Sequence, residues 1–395
     1  MKIIVTFFAG LIFTTSIIQA QISKNIPMVV WASIPAAETN EFRFKELKEM
    51  GATIAIAQYE TLSDVEKALN LAQKTGLKLI ASCSELKNNT ETTVLKLKNN
   101  PALFGYYIQD EPLKKDFEEL GVWVKKIKAV DPTHICFVNL ISSIHPTNTK
   151  ALGTNSYQEY IQEFAKTVPQ DVLSFDFYPI LKEGIHENWY EGLSIFSKET
   201  ATLKKTFWGF ALASSYNELH PIPTLPALRL QAYSNLAYGA QGIELWAYWM
   251  SEGLRLAPIN LDGKRTVVYE RIQALTKEIQ AYAAVFMGSK FISVHHTGVV
   301  IPKGTTQLMT LPEQIKVFDA DEALVANLEN GVFSYFVVVN KNIFKPMSMV
   351  ILTDDAVEKI GKDGAASPAK NYASTMEIEP GDIAIFRYPT KNNLK

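Results

Sequence analysis

Eight short, almost unbroken apolar runs, each followed by a stretch of helical spacing, limit the possible folds of this chain more than any other feature. The runs are 28–34, 52–59, 77–83, 103–110, 134–141, 172–178, 206–213 and 242–249. Strands with one wet face alternate apolar and polar residues. Near-continuous apolarity instead marks parallel strands covered on both sides. Between the runs, Leu62, Val65, Ala68, Leu69 and Ala72 fall on one helical face, as do Phe117, Leu120, Val124 and Ile127. Gly51 and Gly76 follow predicted helices, and Asp131-Pro132 stops another. Eight βα units in about 250 residues predict a closed (β/α)8 barrel. An open doubly wound sheet is the alternative, but no glycine-rich phosphate loop follows the first run.

The barrel is predicted over residues 21–288, closed by a helix at about 266–285. Beyond it, short alternating runs, clearest at 334–340, 347–352 and 382–388, predict an all-β domain over 289–395, sandwich-like and packed on the barrel. Residues 1–20 read as a secretory signal: Lys2, an apolar stretch from Ile3 to Ile18, and Ala20 before Gln21. The competing reading is an uncleaved anchor, for which the stretch is short and broken by Thr14, Thr15 and Ser16. No Cys follows, which excludes a lipoprotein anchor. The expected location is periplasmic or extracellular, with no membrane span once the signal is cleaved.

Lys and Arg (39) nearly balance Asp and Glu (41), so no basic face for nucleic acid is expected. Cys83 and Cys136 fall on the third and fifth predicted strands, too far apart to bridge, and read as buried free thiols. Metal-ligand patterns such as HExxH and CxxC are absent, as is a GxSxG elbow. No metal, cofactor or serine-hydrolase chemistry is implied.

Barrel enzymes build their sites at the C-terminal ends of the strands. There the fourth run ends Gln109-Asp110-Glu111-Pro112, the sixth carries Asp176 and Tyr178, and the eighth carries Glu244, Trp246 and Trp249. Asp110 and Glu111 also suit a solvated helix N-terminus, and Glu244 also suits a buried ion pair with Arg229 or Arg255. Trp31, Tyr59, Tyr178, Trp246 and Trp249 are candidate aromatic platforms at the strand ends, or else core. Asn139 and Gln58 are candidate hydroxyl contacts.

The run Tyr106-Tyr107-Ile108-Gln109-Asp110-Glu111-Pro112 resembles the strand-four NEP signature of clan A (β/α)8 glycoside hydrolases, with Asp in the place of Asn. The stretch 229–249 is similar to the strand-eight region of β-galactosidase-like members, and 257–264 to the loop after it. The C-terminal module, with Glu377 to Asp382 before its last strand, looks like the β domains such enzymes append. The resemblance implies a glycosidase with Glu111 as general acid/base, Asp110 beside it and Trp246 at the sugar. It departs from that family at the seventh strand, where Trp208 to Ser215 holds no Glu for the nucleophile and the next acid is Glu218. Glu244 is the first choice for the second carboxylate, with Asp176 and Glu218 behind it. The alternatives are a non-catalytic glycan-binding barrel and a polysaccharide lyase. The latter would need a basic mouth, for which Arg229, Arg255 and Arg265 are the candidates.

Overall fold

A computed structural model describes residues 25–143, 149–369 and 374–390; the expected signal segment lies outside them. Eight parallel strands close into a barrel. They are β1 (Met28–Val30), β2 (Ile54–Ile56), β3 (Lys78–Ala81), β4 (Leu103–Asp110), β5 (Ile135–Leu140), β6 (Val172–Phe175), β7 (Thr206–Leu212) and β8 (Ile243–Trp246). All eight predicted runs contribute one strand each, and β8 closes on β1 with Val29 opposite Glu244. Several strands are shorter than their apolar runs. β1 stops before Ala32, whose φ of 44° breaks the extended backbone.

Both faces of the barrel wall are apolar, which explains the unbroken runs. Val29, Ile54, Ile56, Ile80, Phe137, Trp208 and Phe210 point inward into one cluster. Their neighbours Met28, Val30, Ala55, Leu79, Val138 and Ala211 point outward onto the helices. The helices form where periodicity and caps agree. In α1 (Leu62–Thr75) the Thr61 side chain accepts from the Asp64 amide, Gly76 ends the helix at φ 72°, and Val65, Ala68, Leu69 and Ala72 are buried. In α2 (Phe117–Val130) the predicted stripe of Phe117, Leu120, Val124 and Ile127 is the buried one. Further helices include α3 (Leu225–Ala237) and α4 (Val267–Ala281), the latter beginning one residue inside the predicted span. Cys83 lies just past β3 rather than on it and caps the next short helix; Cys136 is on β5, and both are buried free thiols.

The C-terminal part is all antiparallel β. A six-stranded sheet contains Lys290–His296, Ala323–Asn330, Phe333–Asn340, Ile383–Pro389, Glu358–Ile360 and Ala366–Pro368, in that order, and a three-stranded sheet contains Ile315–Ala320, Met347–Thr353 and Ser374–Ile378. Val325, Val338 and Phe386 of the large sheet share a core with Met349, Ile351 and Ile378 of the small one. The opposite face of the large sheet, with Leu324, Ala326, Val337 and Ile385, joins the barrel's own core. One sheet is thus buried twice, and the two parts of the chain are packed together, as expected. Among the described residues no helix is long and apolar enough to cross a membrane.

Candidate active site

Strand register assembles the polar centre. Asp110 on β4 pairs with Asn139 on β5, and Asn139 pairs with Ser174 on β6. Residues in register on neighbouring strands point the same way. Since Val138, Leu140, Leu173 and Phe175 pack outward, Asn139 and Ser174 point into the barrel. The Asn139 amide donates to Asp110 Oδ1 at 3.0 Å, and the Ser174 hydroxyl lies 3.1 Å from Asn139 Oδ1.

Glu111 follows directly on β4. Its φ of 44° is in the left-handed region, uncommon for a residue with a Cβ, and its amide is held by the Asn139 carbonyl at 2.9 Å. Such outliers persist where the surroundings fix them. The bend brings Glu111 close enough to Asp176, just past the end of β6, for its charge to act on the Asp176 carboxyl. Burial, then the charges of Glu111 and Asp110, hold Asp176 well above the usual carboxylate range. Its Oδ1 is buried and meets no ordinary donor; a proton shared with Glu111 would satisfy it. Asp110 is exposed as a residue, yet its carboxyl is crowded enough that desolvation, with Glu111 adding to it, raises its proton affinity. Three acids therefore stand at the strand ends, and two of them have raised proton affinity.

A cleft of about 560 Å³ opens beside Asp110, which lines it with Trp31, Gln58, Trp246 and Trp249 among others; Glu111 and Asp176 are not in its lining. Ser33, 2% exposed, contributes a hydroxyl with no protein partner to the same wall. Trp246 stacks on Tyr178 with ring centroids 5.5 Å apart, and Tyr216 meets both rings edge-on. Arg43 lies over Trp249, 4.9 Å from the ring centroid, while its guanidinium binds Glu38, Glu46 and the Gly263 carbonyl. Trp249 is thereby fixed on its outer face.

The other candidates are placed as follows. Glu244 is fully buried: the Trp31 indole donates to Oε2 at 2.5 Å, and Ser174 sits against Oε1. The ion pair with Arg229 or Arg255 does not form. Arg229 binds Glu278 and approaches Asp382, whereas Arg255 binds Glu218 on the surface. Glu218 is exposed and also pairs with Lys182, so both its charge and its position are taken up outside the acid cluster. Arg265 is engaged by Glu46 and Glu49. None of these arginines lines the cleft, which removes the basic mouth a lyase would need. Tyr59 is not a platform: it is buried with its hydroxyl on the Ile34 carbonyl at 3.2 Å. Trp31 is 6% exposed and packs edge-on against Tyr107 and Phe137, so most of its ring is barrel core. Gln58 is exposed at the cleft, 3.5 Å from the Tyr107 hydroxyl.

Sequence reasoning missed Ser174, Ser33 and Tyr216. Tyr216 lies in the loop after β7, beyond Ala213, Ser214 and Ser215, where the strand-end rule could have found it; a lone Ser between Leu173 and Phe175 carries no such signal. Among the described residues no group of three or more His, Cys, Asp or Glu is arranged to hold a metal ion.

No family model matches the chain, and no curated protein matches it in sequence. Solved structures match it in fold. A β-L-arabinopyranosidase from Geobacillus stearothermophilus superposes with a TM-score of 0.52 at 10% identity, over 96% of this chain and 100% of its own. A putative α-galactosidase from Bacteroides fragilis superposes with a TM-score of 0.51 at 8% identity, over 93% of this chain and 80% of its own. A β-galactosidase from Marinomonas ef1 gives a TM-score of 0.48 at 9% identity over 65% of this chain, which spans only 60% of that enzyme. At such identities the likeness is one of fold.

Proposed function

We propose that the protein is an exported glycoside hydrolase acting on an oligo- or polysaccharide, with Glu111 as the proton donor. The observation that carries this reading is the grouping of Asp110, Glu111 and Asp176 at the barrel mouth, with Asp110 lining a tryptophan-rich cleft. Breaking a glycosidic bond needs an acid for the leaving oxygen and a second carboxylate for the anomeric carbon or its attacking water. A carboxyl pair that shares one proton keeps an acid loaded at neutral pH, because two charges so close cannot both be carried cheaply. Glu111, the exposed member at the strand end, hands that proton to the leaving oxygen, and Asp176 retains the charge.

Asp176, buried beside Glu111 and raised in proton affinity, is assigned to holding a proton rather than to attack on the sugar. Asp110, which lines the cleft, is the carboxylate left to accept a proton from water. The reading is therefore direct displacement by water with inversion. Trp246, backed by Tyr178, and Trp249, backed by Arg43, offer flat apolar faces to the sugar, and Gln58 and Ser33 offer polar contacts to its hydroxyls. The proteins of like fold carry glycosidase names, which supports the reading at the level of fold. The Lys2 to Ala20 segment supports export.

A panel of neutral oligosaccharides, followed by NMR of the anomeric protons of fresh product, tests this. The expected result is cleavage of at least one class with inverted configuration. Retention would overturn the assignment of Asp110, and binding without cleavage across the panel would make the barrel a glycan-binding protein.

A further inference from the structure

We propose that Glu244 is a positioning residue, a neutral acid beneath the cleft that fixes the orientation of the Asn139 amide through Ser174. The inference rests on reading Asp110, Glu111 and Asp176 as the working acids, and it concerns what holds them.

The hydrogen bonds allow one consistent direction. The Asn139 side chain turns its NH2 to Asp110, with Nδ2 3.0 Å from Asp110 Oδ1. Asn139 Oδ1 then faces Ser174, 3.1 Å away, and needs a donor. Ser174 has one proton. Spending it on Asn139 leaves the Ser174 oxygen as an acceptor toward Glu244 Oε1, so the short contact between those oxygens requires a proton on Glu244. The other oxygen, Oε2, accepts from the Trp31 indole at 2.5 Å. Neutral Glu244 thus satisfies every group from Trp31 to Asp110.

The surroundings agree. Glu244 is 0% exposed. The elements around it bring Val29 from β1, Trp31 just past its end, Phe210 from β7, Ser174 from β6 and Asp110 from β4. Of these only Asp110 carries charge, and it is negative. Burial first, and Asp110 after it, push the Glu244 carboxyl up to about 8. If Glu244 ionises, Ser174 turns its proton to the carboxylate, Asn139 Oδ1 loses its donor, and the amide is free to flip its oxygen against Asp110. Loss of the proton beneath the cleft would thus disorder the acids above it.

The test compares Glu244→Gln and Glu244→Leu in the full chain. Gln reproduces the neutral pattern, its oxygen accepting from Trp31 and its NH2 donating to Ser174; Leu keeps the volume and removes the polar chain. Glu244→Gln is expected to keep kcat within about threefold and to lose an alkaline inflection near pH 8, whereas Glu244→Leu is expected to lose more than tenfold in kcat with KM little changed. Independently of any substrate, infrared difference spectra of the wild type should show the C=O stretch of a neutral carboxyl that disappears as pH rises through about 8 and is absent from Glu244→Gln. An equal loss in both variants, or no such band in the wild type, would overturn the proposal. Should Glu244→Leu fail to fold, the Gln variant and the spectra still decide. A titrating band in a protein that cleaves no sugar would sink the hydrolase reading and leave the Glu244 assignment standing.

Discussion

With its side chain fully buried and its carboxyl pushed up to about 8 from an ordinary value of 4.5, Glu244 makes stability depend on pH. The folded chain prefers the neutral acid, whereas the unfolded chain ionises it near its ordinary value. Its contribution is therefore complete below about pH 4.5 and is lost progressively as pH rises through about 8. Relative to Glu244→Gln, the wild-type melting temperature should fall across this window and level off above it; parallel curves would contradict the protonation state. Asp176 makes a second residue-scale prediction. Burial and the charges of Glu111 and Asp110 raise its proton affinity, so Asp176→Asn, which removes that titration, should change the alkaline limb of the pH–rate profile. An unmoved limb would show that the pair does not govern turnover. Asp110 and Glu111 could be nominated from sequence because the strand-end rule needs only a strand and its last residues. Ser174 could not, since its role depends on register with Asn139 and on reach across the barrel to Glu244. Asp176 was visible as an acid, but its partnership with Glu111 depends on a left-handed bend that no local pattern announces.

At the scale of elements, the barrel was legible because both faces of each strand are covered, so each strand appears as one apolar run. Strand ends were less so. The eighth run extends to Trp249, but β8 ends at Trp246, after which the chain turns to line the cleft. The pairing order of the six-stranded sheet was hidden, because its strands pair across long sequence separations, as when Phe333–Asn340 pairs with Ile383–Pro389. Local capping can be tested alone. Thr61 Oγ1 accepts from the Asp64 amide at 3.2 Å and donates to the Asp64 carboxylate at 2.6 Å. Thr61→Ala should cost about 1 kcal/mol in denaturant unfolding without changing activity, because α1 (Leu62–Thr75) lies behind the barrel wall and not at the acids.

For the whole molecule, the seam between barrel and β domain is the structural decision that matters. Gly381, at φ +67°, comes so close to α3 that an added Cβ would stand 2.1 Å from the Pro226 carbonyl oxygen. Arg229 of α3 binds Glu278 of α4 and reaches Asp382 at 3.8 Å, next to that glycine. Together with the shared apolar core, this predicts one calorimetric transition for the whole chain. Gly381→Ala should lower its stability by about 1–3 kcal/mol through forced separation and backbone strain. Two transitions in the wild type would contradict a single cooperative unit. The barrel held by this seam carries the proposed acid chemistry of Asp110, Glu111 and Asp176 at its strand ends. The most direct check of that chemistry is Glu111→Gln, with turnover and glycan binding measured on the same sugar. The account predicts that turnover falls by roughly 10²–10⁴-fold while affinity stays within a few fold. Turnover that survives the substitution would contradict it.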